Sequence, residues 1–151
     1  MIDIHAHILW DVDDGPKNMN ETMQLLEQAV NEGITQIIAT SHCFHPQYHV
    51  DYETINNQLQ LLQNQLMKNN IPLTLHTGHE VRLSDNIIPL YKAKQIHTLA
   101  NSNYILLELP SHTVPYYSIN IIRELLTEGL VPIIVHPERN KAIAERPILL
   151  E

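Results

Sequence analysis

Met1-Ile2-Asp3-Ile4-His5-Ala6-His7-Ile8-Leu9-Trp10-Asp11-Val12-Asp13-Asp14-Gly15-Pro16 opens the chain. Ile2, Ile4 and Ile8 alternate with Asp3, His5 and His7, so Met1 to Ile8 reads as a strand. Asp13-Asp14-Gly15-Pro16 is a turn signal. Residues two apart on a strand share a face. His5 and His7 can therefore face one interior together and grip one ion.

Outward from this strand the chain alternates. Asn20 to Glu32 predicts a helix: Met23, Leu26 and Val30 recur at helical spacing, and Gly33 suits its C-terminal cap. Ile34 to Thr40 is a short β-branched run and reads as a buried strand. Asp51 to Asn69 is the clearest helix, capped by Asp51, with Ile55, Leu59, Leu62 and Leu66 on one face. Ile71 to Thr77 predicts a strand, Asn86 to Gln95 a short helix and Tyr104 to Leu109 a strand. Ser118 to Glu128 predicts a helix closed by Gly129, and Leu130 to Val135 a fifth strand. Five strands separated by four helices imply an α/β fold with a parallel sheet, open or closed into a barrel. Asn140 to Ala144 and Arg146 to Glu151 read as a loop and the first turn of another helix, with Pro147 near its first position. An α/β fold ending there reads as truncated at its C-terminus. An unfinished barrel exposes apolar strand edges, which favours self-association into a homo-oligomer.

Composition narrows the function. At 151 residues a single domain is expected. Acidic side chains number 17 and basic ones 9, for a net charge of −8, which argues against a broad nucleic-acid surface. An anion can still bind where metals supply positive charge. Cys43 stands alone, so no intrachain disulfide forms. No signal peptide and no apolar run of ~20 residues is visible, so a cytoplasmic protein without membrane insertion is expected.

The ten histidines are the unusual feature. Active sites of parallel α/β folds lie at the carboxyl ends of the strands. Strand one carries His5 and His7 and leads to Asp11, Asp13 and Asp14. Strand two ends in Thr40-Ser41-His42-Cys43-Phe44-His45, strand three in Gly78-His79-Glu80-Val81-Arg82, strand four in Glu108-Leu109-Pro110 and strand five in His136-Pro137-Glu138-Arg139. Any one of these is weak evidence, since a strand-end histidine is usually a polar cap and an aspartate before Gly-Pro usually turn chemistry. Five strand ends delivering candidate ligands to one rim imply a metal site. Imidazole with carboxylate suits Zn, Mn or Fe, and carboxylate-rich sites lean to Mn or Mg. Glu108 sits in an otherwise apolar strand, so it should be paired or metal-bound. His79 should point away from the face that Glu80 uses. His49, His76, His97 and His112 fit no strand end and read as surface or loop residues. Cys43 reads as a packed thiol.

These segments, together with Leu106-Leu107-Glu108-Leu109 and Val135-His136-Pro137-Glu138-Arg139-Asn140, resemble the PHP (polymerase and histidinol phosphatase) superfamily. More narrowly they resemble the manganese-dependent protein-tyrosine phosphatases of bacterial capsule and exopolysaccharide operons, the CpsB/YwqE type. The resemblance implies a distorted TIM-like (β/α)7 barrel, incomplete here at about five βα units, with residues 1–151 forming a phosphatase domain that lacks the family's late D-x-H motif. It implies up to three divalent ions: His5 and His7 on one, Glu80 bridging it to a second completed by Glu108 and His136, and Asp14 with His42 on a third. Arg139 matches the arginine that contacts phosphate. The implied activity is metal-assisted hydrolysis of phosphotyrosine on a bacterial tyrosine kinase, regulating capsular polysaccharide synthesis, with no cysteine nucleophile. The competing expectations are a phosphoesterase acting on a small phosphomonoester, and a truncated remnant that binds metal without turnover. Cys43-Phe44-His45 and Asn140 depart from the commoner family residues.

Overall fold

The computed structural model describes residues 1–150. Seven strands form: β1 (Ile2–Ala6), β2 (Gln36–Ala39), β3 (His42–Cys43), β4 (Thr74–Thr77), β5 (Glu80–Arg82), β6 (Tyr104–Glu108) and β7 (Val131–Ile134). Five helices accompany them: α1 (Met19–Asn31), α2 (Tyr52–Lys68), α3 (Ile87–Lys92), α4 (Ser118–Thr127) and α5 (Lys141–Glu145). All strand pairs are parallel, in two sheets ordered β1-β2-β4 and β3-β5-β6-β7.

The second and third expected strands form as β2 and β4, and beyond the expected bounds of each a further short strand follows, β3 and β5. Thr40-Ser41 separates β2 from β3, and Gly78-His79 separates β4 from β5. The backbone still bridges the break, since Glu80 N–H donates to Ser41 O at 3.1 Å and Thr40 N–H to Ala6 O at 2.9 Å. The two sheets are successive parts of one curved wall. Crowding sets the bend: a Cβ on Gly78 would stand 2.7 Å from Ile38 Cγ2 and 3.1 Å from Thr40 Cγ2, so only glycine passes there. Among the described residues β1 pairs only with β2 and β7 only with β6, leaving the wall open between them.

Helices cover the outside of the wall. Leu26 of α1 and Ile55, Leu62 and Leu66 of α2 pack on Ile37 and Leu75. Ile87 of α3, Ile121 and Leu125 of α4 and Ile143 of α5 pack on Val81, Ile105 and Leu107. Each of these buried aliphatics is worth up to about 1.5–3 kcal/mol of transfer free energy. The alternate strand residues Ile38 and Leu106 turn inward and meet Leu99 and Val135. Since Glu108 lies two residues beyond Leu106, it shares that inward face.

Local chemistry explains the helix ends. Asp51 caps α2, accepting from Thr54 N–H at 2.7 Å. The helix expected over Asn86 to Gln95 covers six residues and stops where Lys94 turns left-handed, at φ +56°, and Gln95 N–H closes back on Leu90 O at 3.0 Å. The expected loop over Asn140 to Ala144 is largely helical: Asn140 accepts from Ile143 N–H at 3.0 Å and starts α5. His97 lies in a loop, as expected, but that loop is buried: the residue is only 3% exposed, stacked on Tyr52 with ring centroids 3.5 Å apart. Its neighbour on the sequence side, Ile96, draws this turn into the core. His49 and His112 are exposed, whereas His76 is no loop residue: it lies half-buried within β4 and pairs with Gln36 at 2.9 Å.

Candidate metal centre

The strand ends meet in a cleft of ≈ 890 Å³ lined by His5, His7, Asp14, His42, His45, Tyr48, Glu80, Glu108, His136 and Arg139. Every residue singled out from the sequence for the site therefore faces one cavity.

Glu80 is the hub. At 1% exposure it brings Oε2 to 3.1 Å from His5 Nε2 and 2.8 Å from His7 Nε2, and Oε1 to 2.7 Å from His136 Nε2. Burial works against its ionisation, but the His5 and His7 hydrogen bonds outweigh it and hold the carboxyl well below the usual range. Burial likewise depresses His7, yet Asp13 and Glu80 more than offset it and raise the imidazole to about 10. On His42 burial prevails, and its affinity for protons falls below the ordinary histidine value.

Three ligand groups emerge, each with one donor atom per residue inside 4.8 Å: His5, His7 and Glu80; His7, Asp14 and His42; His42, Glu80 and Glu108. The donor atoms include two buried orphans. His42 Nδ1 and Glu108 Oε2 have no hydrogen-bond partner and lie 3.8 Å apart. A buried imidazole nitrogen and a carboxylate oxygen left facing each other cost several kcal/mol unless a cation joins them. The residues present thus fit divalent ions. His136, whose φ of +29° is strained for a non-glycine residue, is aimed at Glu80.

The expectation that Glu108 needs a partner holds, and the partner is Arg82, whose Nη1 lies 3.0 Å from Glu108 Oε1. Register explains the meeting, since Arg82 stands opposite Glu108 across β5 and β6. Arg139 is different: its side chain is 74% exposed on the rim. It is carried by a tight turn, Pro137–Arg139, that Asn140 anchors by donating from Nδ2 to Pro110 O at 2.6 Å and Thr113 O at 2.8 Å.

Sequence reasoning passed over Asp13, taken as turn chemistry. It does serve the turn, with Oδ1 accepting from Gly15 N–H at 3.0 Å. Its Oδ2 also lies 3.1 Å from His7 Nδ1 and accepts from His42 N–H at 3.2 Å. It thereby orients the His7 ring from behind, the usual task of a carboxylate outside a ligand shell, and pins the backbone of His42. Tyr48 was missed altogether, and Arg82 was named without a role. His79 points away as expected: Nε2 donates to Val50 O at 2.9 Å, and Nδ1 accepts from His97 N–H at 2.9 Å.

Comparison with known proteins agrees with this geometry. Residues 1–150 match the family model for capsular polysaccharide synthesis, CpsB/CapC. CapC of Staphylococcus aureus is 47% identical over 150 residues, covering 99% of this chain and 59% of CapC. The tyrosine-protein phosphatase YwqE of Bacillus subtilis is 36% identical over the same shares. A chain from the crystal structures of YwqE from Bacillus subtilis and CpsB from Streptococcus pneumoniae, metal-dependent tyrosine phosphatases, superposes with a TM-score of 0.95 at 36% identity, over 99% of this chain and 61% of that one. The chain thus spans about 59% of the length of the curated relatives it matches. With its parallel wall, its strand-end histidines and carboxylates and a match along its described length, the chain belongs to the CpsB/CapC family of capsular polysaccharide synthesis.

Proposed function

We propose that this chain is a metal-dependent protein-tyrosine phosphatase, hydrolysing phosphotyrosine on a bacterial tyrosine kinase that governs capsule synthesis. The observation that carries the reading is the pair of buried orphans, His42 Nδ1 and Glu108 Oε2, set beside the Glu80 hub. His5, His7 and Glu80 would hold one ion, and Glu80 with Glu108 a second, which His42 Nδ1 faces and His136 flanks through Glu80; Asp14, with His7 and His42 within reach, would hold a third. The resemblance to manganese-dependent phosphatases points to Mn, and the imidazole and carboxylate donors suit Mn, Fe or Zn. When bound, such ions supply positive charge and Lewis acidity to a phosphoryl group.

The chain's own residues supply the rest. Arg139, on the cleft rim, pairs with phosphoryl oxygens as charge builds on them, and the Asn140 anchor keeps its turn in place. Asp13 holds His7 through Nδ1 and so presents Nε2 to the cleft. Glu80, fully ionised behind three histidines, keeps them converged. Cys43, buried with its thiol pushed up to about 12, is no nucleophile. No helix among the described residues is long and apolar enough to cross a membrane, and a kinase substrate in the cytoplasm fits the lone reduced thiol.

The deciding experiment is phosphate release from a phosphotyrosyl peptide, with Mn added and with EDTA. Mn-dependent release abolished by EDTA is expected. Absence of release from protein shown to be folded and metal-loaded would overturn the catalytic reading and leave a metal-binding chain without turnover.

A further inference from the structure

Residues 44–50 fold back over one wall of the cleft and set two rings there that no ligand group uses. Phe44 takes a left-handed φ of +58°, which reverses the chain just after β3. Its ring stacks on His49 with centroids 4.4 Å apart, and its N–H donates to His49 Nδ1 at 3.2 Å. Val50 N–H donates to His42 O at 2.9 Å, so the loop is tied to β3 at both ends. Inside the loop the Tyr48 ring lies nearly parallel to His42, at 5.6 Å and 11°, and to His45, at 5.6 Å and 20°. His45 in turn lies 4.6 Å from His42. Gln47 N–H donates to His45 Nδ1 at 3.2 Å, so the neutral ring keeps its proton on Nε2. Both His45 and Tyr48 line the cleft.

A phosphoryl group drawn to the carboxylate–imidazole cluster must lay its organic substituent against a cleft wall. An alkyl group gains little from flat rings, whereas an aryl ring gains offset stacking on rings already held in place. We propose that His45 and Tyr48 form an aromatic shelf that selects aryl over alkyl phosphomonoesters at this site. The proposal rests on the phosphatase reading above.

The test uses the Mn-loaded chain and two ligands that cannot be hydrolysed, phenylphosphonate and methylphosphonate, with binding followed by calorimetry. Wild type should prefer the phenyl ligand. Tyr48→Leu should shrink that preference about fivefold, Tyr48→Phe should retain it, and His45→Asn should shrink it too. Circular dichroism and Mn titration accompany each variant. Equal binding of the two phosphonates by wild type would overturn the shelf. So would an unchanged preference in Tyr48→Leu and His45→Asn. Parallel loss of both ligands together with weaker Mn binding would also overturn it, because Tyr48 would then merely prop His42. Phosphotyrosyl-peptide turnover separates the two readings: a phenyl preference without turnover sinks the phosphatase and keeps the shelf, and turnover without the preference does the reverse.

Discussion

Replacing Arg82 with Met tests whether Glu108 is held for a cation. Glu108 is 8% exposed, and among the described residues its one close charged partner is Arg82, at 3.0 Å from Oε1. His42 and His45 stand farther off, at 3.8 and 3.9 Å, and Oε2 has no hydrogen bond at all. Breaking a buried ion pair by removing one member costs about 3–5 kcal/mol. Because neither side chain is fully buried, at 17% and 10% exposure, the lower end applies. We expect Arg82→Met to lose about 3 kcal/mol in EDTA, or roughly 6–12 °C in Tm for a domain of this size. A cation beside Glu108 would replace much of the lost charge, so saturating Mn should recover most of the deficit. Urea unfolding with EDTA and with Mn reads both quantities. The Arg82→Met/Glu108→Gln double variant should be more stable in EDTA than Arg82→Met alone, since no uncompensated carboxylate remains. Arg82→Met as stable as wild type in EDTA, or stabilised by Mn no more than wild type is, would refute the reasoning.

Three further outcomes follow from the same geometry. His7, held near 10, keeps its proton at neutral pH in the metal-free protein, so a cation must expel it. Mn affinity should therefore rise about tenfold per pH unit between about 6 and 9, with about one proton released in calorimetry run in two buffers; pH-independent affinity would contradict this. His79 is depressed to about 3 by burial and by His97, against about 6.5 in the unfolded chain. The unfolded state binds the extra proton between those limits, so stability is full above about 6.5 and falls by about 1.4 kcal/mol per unit as pH drops toward 3. His79→Gln should flatten that slope relative to wild type, and an identical slope would count against it. Cys43→Ser should keep most of the phosphatase activity while costing about 1–2 kcal/mol for a buried hydroxyl; abolished turnover at intact fold would point to a different chemistry.

Much was legible in the sequence because periodicity reports burial directly. The α2 stripe of Ile55, Leu62 and Leu66 and its Asp51 cap are local patterns, and both appear in the fold. The site was legible for a related reason. In a parallel α/β fold all strand ends share a rim, so His5, His7, His42, Glu80, Glu108 and His136 could be gathered without knowing any distance.

What the sequence left open depends on contacts between segments distant along the chain. No local pattern encodes the close approach of Gly78 to Ile38, 40 residues away, where a Cβ would not fit. Asp13 looked like turn chemistry because its own turn is real; only the return of β1 and β3 to its side gives its second oxygen the His7 ring to orient and the His42 backbone to pin. Arg82 gains meaning from its register opposite Glu108, and Tyr48 from a loop that folds back over His42. His97 is a loop histidine, as it looked, but only packing against Tyr52 buries it. The sequence by itself determined which residues carry ligand chemistry and that they lie at strand ends. Only the tertiary structure decided which of them touch, which are orphaned and which partner holds each in place, because hydrogen bonds and stacking depend on separations of a few ångströms that one-dimensional spacing does not specify.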